Sequence, residues 1–220
     1  VPAVAATLLE AASDGVDNFR IMSGHKVMPP ALQALAGAPD CQIDGFILPG
    51  HVSTIIGTEP YQFLPHEHGL AGCIAGFEPT DVLRAVLSLC RQVADDAPEV
   101  DNAYRRAVKP EGNPAAWKQV QRVFRPSAAR WRGMGVLEQS GLAVRNEWAD
   151  HAVEPPDVSE NPNPEPECRC GEVLRGAISP PECPLFGTAC TPDSAVGPCM
   201  VSSEGSCAAH YKYGTGDELE

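Results

Sequence analysis

Six of the nine cysteines fall between Cys168 and Cys207, as C168-R-C170 and then Cys183, Cys190, Cys199 and Cys207. Thiolates are soft ligands, and a tetrahedral zinc site or a cubane iron–sulfur cluster takes about four of them. Six therefore suggest a metal centre with a redox-active pair beside it. Structural zinc usually shows two short C-x2-4-C knuckles, and here only C168-x-C170 is tight. A disulfide framework would use all six, but it suits small secreted domains. A [4Fe–4S] cluster tolerates varied spacing and leaves two thiols for exchange. Spacing alone ranks iron–sulfur first, zinc second and disulfides third, and it leaves all three open. Between the cysteines, Cys183-Pro184 and Pro198-Cys199 restrict the backbone near sulfur, and Gly187, Gly197 and Gly205 permit tight turns. Ser202, Ser203 and Glu204 stand where second-shell hydrogen bonds or a proton could come from.

A second set of polar residues follows the candidate strands. One strand runs into Ser23-Gly24-His25-Lys26, one into Pro49-Gly50-His51-Val52-Ser53 and one into Gly76-Phe77-Glu78-Pro79. Lys109-Pro110-Glu111-Gly112-Asn113 is a weaker fourth case. In open parallel sheets, ligands bind beyond the carboxyl ends of the strands. His25, His51 and Glu78 would then converge on one sheet edge. The competing reading is that Gly and polar residues simply punctuate β–α turns. His66 and His68 in P-H-E-H-G fit a polar surface turn better than a metal site, and Cys73 and Cys90 fit small buried packing residues. Cys41, at a loop-to-strand junction, is not assigned.

These residues need elements to hold them. Val4, Leu8, Leu9 and Ala12 mark a helix, Phe19–Met22 a strand, and Met28–Ala36 a helix with Pro29 and Pro30 in its opening turn. Ile43–Leu48 and Cys73–Ala75 read as strands, and Ala103–Val108 as a further one. Thr80–Ala94 is the clearest helix, with Thr80 as N-cap and Val82, Val86, Leu89 and Val93 on one face. Asn113-Pro114 opens a helix that runs to Phe124. The alternation predicts an α/β fold, a mostly parallel sheet with helices on both faces, over residues 1–125. Residues 126–146 read as a connection bearing a β-hairpin, with Trp131–Leu137 and Leu142–Val144 flanking Gly141. Residues 147–167 hold seven acidic residues, five prolines and no Lys or Arg, the composition of a solvated linker. Residues 168–220 form the cysteine-rich region.

The whole-chain balance narrows the partners. A net charge of -13 with no basic run argues against nucleic acid and against an anionic membrane surface. No apolar run approaches a membrane span, and no signal-peptide plan opens the chain. The cytoplasm is the expected compartment, where clustered cysteines are more often metal-binding or catalytic than disulfide-bonded. At 43% hydrophobic, the chain has enough apolar residues for packed cores. The first residue is Val1 rather than Met, so a fragment of a longer chain is expected, with its α/β domain incomplete at the N-terminus.

Several stretches carry a family resemblance. C-R-C-G-E-V-L-R-G from Cys168, P-P-E-C-P-L-F-G-T-A-C-T-P, and G-P-C-M-V-S-S-E-G-S-C-A-A resemble the HypD family. So do S-G-H-K-V-M-P-P-A-L at 23–32, I-D-G-F-I-L-P-G-H-V-S at 43–53, A-G-F-E-P-T-D at 75–81, K-P-E-G-N at 109–113 and W-R-G-M-G-V at 131–136. The resemblance implies a cytoplasmic factor of hydrogenase maturation and metallocentre assembly. It implies a scaffold, formed with a HypC-like small chaperone, on which the Fe(CN)2CO group of [NiFe]-hydrogenase is built with cyanide from a HypE-like donor. It also implies a C-terminal iron–sulfur region similar to that of ferredoxin:thioredoxin reductase, where cluster ligands alternate with a redox disulfide. Carried onto this chain, Cys168, Cys183, Cys190 and Cys207 hold the [4Fe–4S] cluster, and Cys170 and Cys199 form the redox pair. His51 and Glu204 match positions that serve the family's central cleft, while His25 and Glu78 are the further cofactor-binding candidates from the strand ends. The family's N-terminal domain carries a C-G-P-G-C-P-V-C-like segment and an earlier iron-holding cysteine. Neither is in these 220 residues, so this chain alone is expected to lack the thiols for the iron precursor and to fall short of complete assembly. The rival reading, from another class, is a zinc-stabilised cytoplasmic interaction module without a redox role.

Overall fold

The computed structural model describes residues 1–154 and 167–214. They divide into two compact units. The first holds Val1–Ala36, Ile43–Ala129 and the chain from Leu137; the second holds Gly37–Gln42, Arg130–Val136 and the cysteine-rich region.

The first unit is built on a parallel sheet of three strands in the order β1 (Gly45–Pro49), β2 (Ala71–Ala75) and β3 (Val100–Asn102). Leu48 pairs with Ile74 and Ile47 with Cys73. Every position of β2 is buried, as a central strand covered on both faces requires. Its alternate side chains go to different cores. Ile74 joins Leu48, Tyr61, Leu64 and Leu32, which brings in α2 (Met28–Ala36) and α4 (Phe63–His68). Cys73 and Ala75 pack with Ala85 on α5 (Pro79–Ala94). Helices on both faces of a parallel sheet are thus observed.

The strand expected at Phe19–Met22 is not in this sheet. Ile21 makes a single bridge to Ala152, and Lys26 one to Gly141. The strand expected at Ala103–Val108 is a turn, and β3 lies just before it. The Asn102 side chain is the reason: its oxygen accepts from the Tyr104 N–H at 2.9 Å and its nitrogen donates to the Val108 carbonyl at 3.0 Å, turning the chain. Helix α3 (Gly50–Ile56) follows β1 directly. Helix α6 (Pro114–Val123) is capped as its sequence predicts, with Asn113 Oδ1 accepting from the Ala116 N–H at 3.0 Å. Helix α5 starts one residue earlier than expected, with Glu78 rather than Thr80 at its N-cap position and no side-chain cap.

Of the apolar face expected on α5, Leu89 packs against the core of Cys73, Ala75 and Ala85, but the three valines do not take inner positions. Val82, Val86 and Val93 are 39%, 42% and 51% exposed, whereas Asp81, Ala85 and Gln92 are buried. The polar residues take inner positions because each has dedicated partners. Gln92 donates to the Gly72 carbonyl at 3.3 Å and accepts from the Glu99 N–H at 2.9 Å. Cys90 is exposed on this helix rather than packed in a core, while Cys73 is fully buried and its thiol is pushed up by that burial.

Strands β4 (Phe124–Trp131) and β5 (Gly135–Val144) form a separate two-stranded ribbon that turns at 132–134. Gly141 lies inside β5 rather than at the turn. A Cβ there would meet Ser127 Oγ at 2.8 Å and Ala129 Cβ at 2.9 Å, so the close strand crossing needs glycine. α1 (Pro2–Ser13), α6 and the ribbon share a third core of Ala5, Leu8, Val120, Val123, Phe124 and Leu142. Most of the expected linker, 155–166, lies outside the described residues. Its start differs from the expectation: Asn146–His151 is a 3-10 turn fixed by Trp148 Nε1 donating to the Arg122 carbonyl at 2.9 Å.

Candidate metal centre

In the second unit, four short elements deliver the six cysteines. Cys168 precedes α7 (Cys170–Leu174), and Cys170 opens it. A 3-10 turn at Pro180–Glu182 ends at Cys183; Glu182 fixes it by accepting from the Ser179 N–H at 2.6 Å and hydroxyl at 2.8 Å. The chain then doubles back, with the Cys190 N–H donating to the Leu185 carbonyl at 2.8 Å. Cys199 lies in α8 (Pro198–Val201) and Cys207 in the first turn of α9 (Ser206–Tyr213).

All six meet in one apolar cluster with Val173, Leu185, Met200 and Ala208. Five of them are between 3% and 7% exposed, and Cys168 packs against the cluster's edge. Two glycines make the crowding possible. A Cβ at Gly197 would stand 2.5 Å from Cys168 Sγ, and one at Gly205 would stand 2.3 Å from the Cys199 carbonyl oxygen. The Val196 N–H donates to Cys190 Sγ at 3.4 Å.

Cys199 is the electrostatic centre of the group. Its sulfur lies 3.1 Å from Cys207 Sγ. Hydrogen bonding from Cys170, with a further contribution from Cys207, pulls the Cys199 thiol down to about 6 against its burial. Cys170 is pushed up as the donor to Cys199 and by burial, and Cys207 is pushed up by burial first and then by Cys199.

The donor set fits an iron–sulfur group in kind. It offers six soft sulfurs, an apolar lining that excludes water and a backbone N–H directed at one sulfur. Among the described residues, no group of three or more His, Cys, Asp or Glu is already arranged around a metal position. Glu204 sits exposed in the turn between α8 and α9, where its N–H donates to Ser202 Oγ at 3.2 Å. Asp40 anchors the segment Gly37–Gln42 to the end of α7 through Arg175 at 2.7 Å, a link that joins distant parts of the sequence.

The first unit carries the strand-end residues. His51, exposed in the first turn of α3, lies with its ring 4.1 Å from that of Phe77, tilted by 35°. Glu78 stands 3.4 Å from Arg106. The structure adds Asp81, Tyr104 and Arg106 to this edge. The Asp81 carboxylate is 1% exposed and accepts two bonds from Arg106 at 2.7 and 2.6 Å, and Arg106 lies 4.6 Å over the Tyr104 ring. That guanidinium holds the Asp81 carboxyl below its ordinary range and is itself raised in turn. The acid in A-G-F-E-P-T-D was the only sequence signal for this pair, because its partner is 25 residues away.

Gly50 and Gly76 sit where the backbone is crowded, since a Cβ would strike the Ala75 carbonyl at 2.3 Å and Asp81 Oδ2 at 2.1 Å. Gly24 has open space around it, consistent with the missing strand. His25 therefore does not follow a sheet strand. It packs edge-on against Phe124 at 5.2 Å, with Nδ1 3.3 Å from Ser23 Oγ and its titration lowered chiefly by burial. His66 and His68 lie in the last turn of α4 rather than in a loop, and His68 contacts Gln33 and Phe63.

Comparison with known proteins gives a consistent result. The HypD family model, described as "Hydrogenase formation hypA family", matches residues 1–214. The chain is 44% identical over 223 residues to hydrogenase maturation factor HypD of Cupriavidus necator, covering 97% of this chain and 59% of that protein. It is 43% identical over 226 residues to the HypD of Rhizobium leguminosarum bv. viciae, covering 97% and 58%. With the HypD of Escherichia coli, identity is 40% over 220 residues, covering 97% and 58%. The chain thus spans somewhat less than three fifths of the length of these relatives.

Proposed function

We propose a function for this chain from one premise: it belongs to the HypD family of hydrogenase maturation factors. It acts as scaffold and redox component in building the Fe(CN)2CO group of [NiFe]-hydrogenase, with a HypC-like small chaperone and a HypE-like cyanide donor as partners. The observation that carries this reading is the buried six-thiol cluster, which has two sulfurs more than a metal site takes.

Cys168, Cys183, Cys190 and Cys207 are the ligands of a [4Fe–4S] cluster, and Cys170 and Cys199 are the redox pair. When bound, such a cluster supplies single electrons to a neighbouring disulfide. The chain's own residues do the rest. Val173, Leu185 and Met200 bury the sulfurs, the Val196 N–H orients Cys190, and Cys170 packs in the same cluster as its exchange partner Cys199. His51 and Glu204 are assigned acid/base roles and Glu78 a role in binding the iron precursor; all three are exposed.

Anaerobic purification, with metal and sulfide content and a visible spectrum, tests this reading. A brown protein with iron and inorganic sulfide is expected. A colourless, zinc-loaded protein would support a zinc-stabilised interaction module instead.

A further inference from the structure

Cys199 contacts two sulfurs, and only one of them is the partner that the reading above gives it. The other, Cys207 Sγ, lies 3.1 Å from Cys199 Sγ. The fold enforces this approach. The chain reverses within Ser202–Gly205, closed by the Gly205 N–H on the Ser202 carbonyl at 2.9 Å. Gly205 passes so near the Cys199 backbone that a Cβ would lie 2.3 Å from its carbonyl oxygen. A disulfide bond is about 2.05 Å long, so the two sulfurs need to close by only about 1 Å. The ring formed would be short, which keeps the entropic cost of closure small.

We propose that Cys199 and Cys207 form a modification site, a disulfide made in the metal-free protein that withdraws Cys207 from metal binding. The consequence for metal loading rests on the reading of Cys207 as a ligand; the disulfide itself does not. Cys199 thus has two alternative partners. When metal engages Cys207, Cys170 is the one left to it. When Cys207 is free, its sulfur, 3.1 Å away, competes.

Burial of both thiols selects a small oxidant, and hydrogen peroxide meets that need. The Cys199 sulfur attacks one peroxide oxygen, the O–O bond breaks, and the leaving hydroxide takes up the Cys199 proton as water, leaving Cys199 as the sulfenic acid. Cys207 then attacks Cys199 Sγ; the S–O bond breaks, and the hydroxide released takes up the Cys207 proton as water. Two thiols lose two electrons, and one peroxide becomes two waters. A dithiol reductant reverses the modification.

The test uses the whole chain, stripped of metal, reduced and then exposed to one equivalent of hydrogen peroxide. Free thiols are blocked, and the protein is cut after Glu204, which separates the two cysteines into different peptides. Mass spectrometry is expected to find Cys199 linked to Cys207, and the same link in Cys170→Ser. The oxidised chain is expected to take up several-fold less iron from ferrous iron and sulfide than the reduced one, with recovery after dithiothreitol. A Cys170–Cys199 link as the main product, no link at all, or equal iron uptake by the linked chain would overturn the inference. Iron uptake by the reduced chain is a separate readout: its failure would sink the cluster reading, while the peptide map still decides the disulfide.

Discussion

At the scale of single residues, Asp81 and Arg106 show how the sheet edge is held. A buried carboxylate persists because a guanidinium meets it with two hydrogen bonds. The folded state holds the Asp81 carboxyl below its unfolded value, so the stabilisation is complete above about pH 4 and is lost as pH falls through the folded value. Asp81→Asn should therefore lower the Tm most at neutral pH. The gap between variant and parent should narrow below about pH 4. Thermal melts from pH 7 to pH 3 check this, and a gap independent of pH would contradict it. The clustering of the six cysteines and the place of His51 just after β1 could be read from residue type and spacing alone. Asp81 could not be paired with Arg106, because sequence shows no contact between residues so far apart. His25 was misplaced for another reason: its turn resembles the two true strand ends, but no sheet strand precedes it.

Secondary-structure elements were legible where local chemistry and tertiary demand agree. Proline after a capping Asn marked α6, and paired prolines marked the start of α2. The apolar runs of β1 and β2 were found for the same reason. β3 was missed because Val-Asp-Asn has the composition of a turn, and its pairing comes from β2 beside it. The outer stripe of α5 misled because hydrophobic periodicity marks a coherent apolar face without saying which face the sheet takes. The sheet beneath α5 is lined by Cys73 and Ala75, and Gln92 reaches the β2 backbone there. Leu48 tests the opposite face. It is 1% exposed between α2, α4 and β2. Leu48→Ala should cost about 2–5 kcal/mol, read by urea unfolding. A loss below about 1 kcal/mol would mean that this core can collapse around the gap.

For the whole molecule, two units divide the chemistry. One presents a strand-end surface with His51, Glu78 and Arg106; the other encloses the thiols. The motifs of the cysteine region made the family legible before any coordinates. What they could not give is the packing that sets Cys199 between two partners, which depends on a turn closed at Gly205. The central claim is that these six thiols divide into four metal ligands and two redox thiols. Iron and inorganic sulfide per chain, measured after anaerobic reconstitution of six single Cys→Ser variants, test it most directly. Cys168→Ser, Cys183→Ser, Cys190→Ser and Cys207→Ser should each lose most of their iron, whereas Cys170→Ser and Cys199→Ser should keep it. Full iron in Cys183→Ser, or loss of iron in Cys199→Ser, would contradict the account.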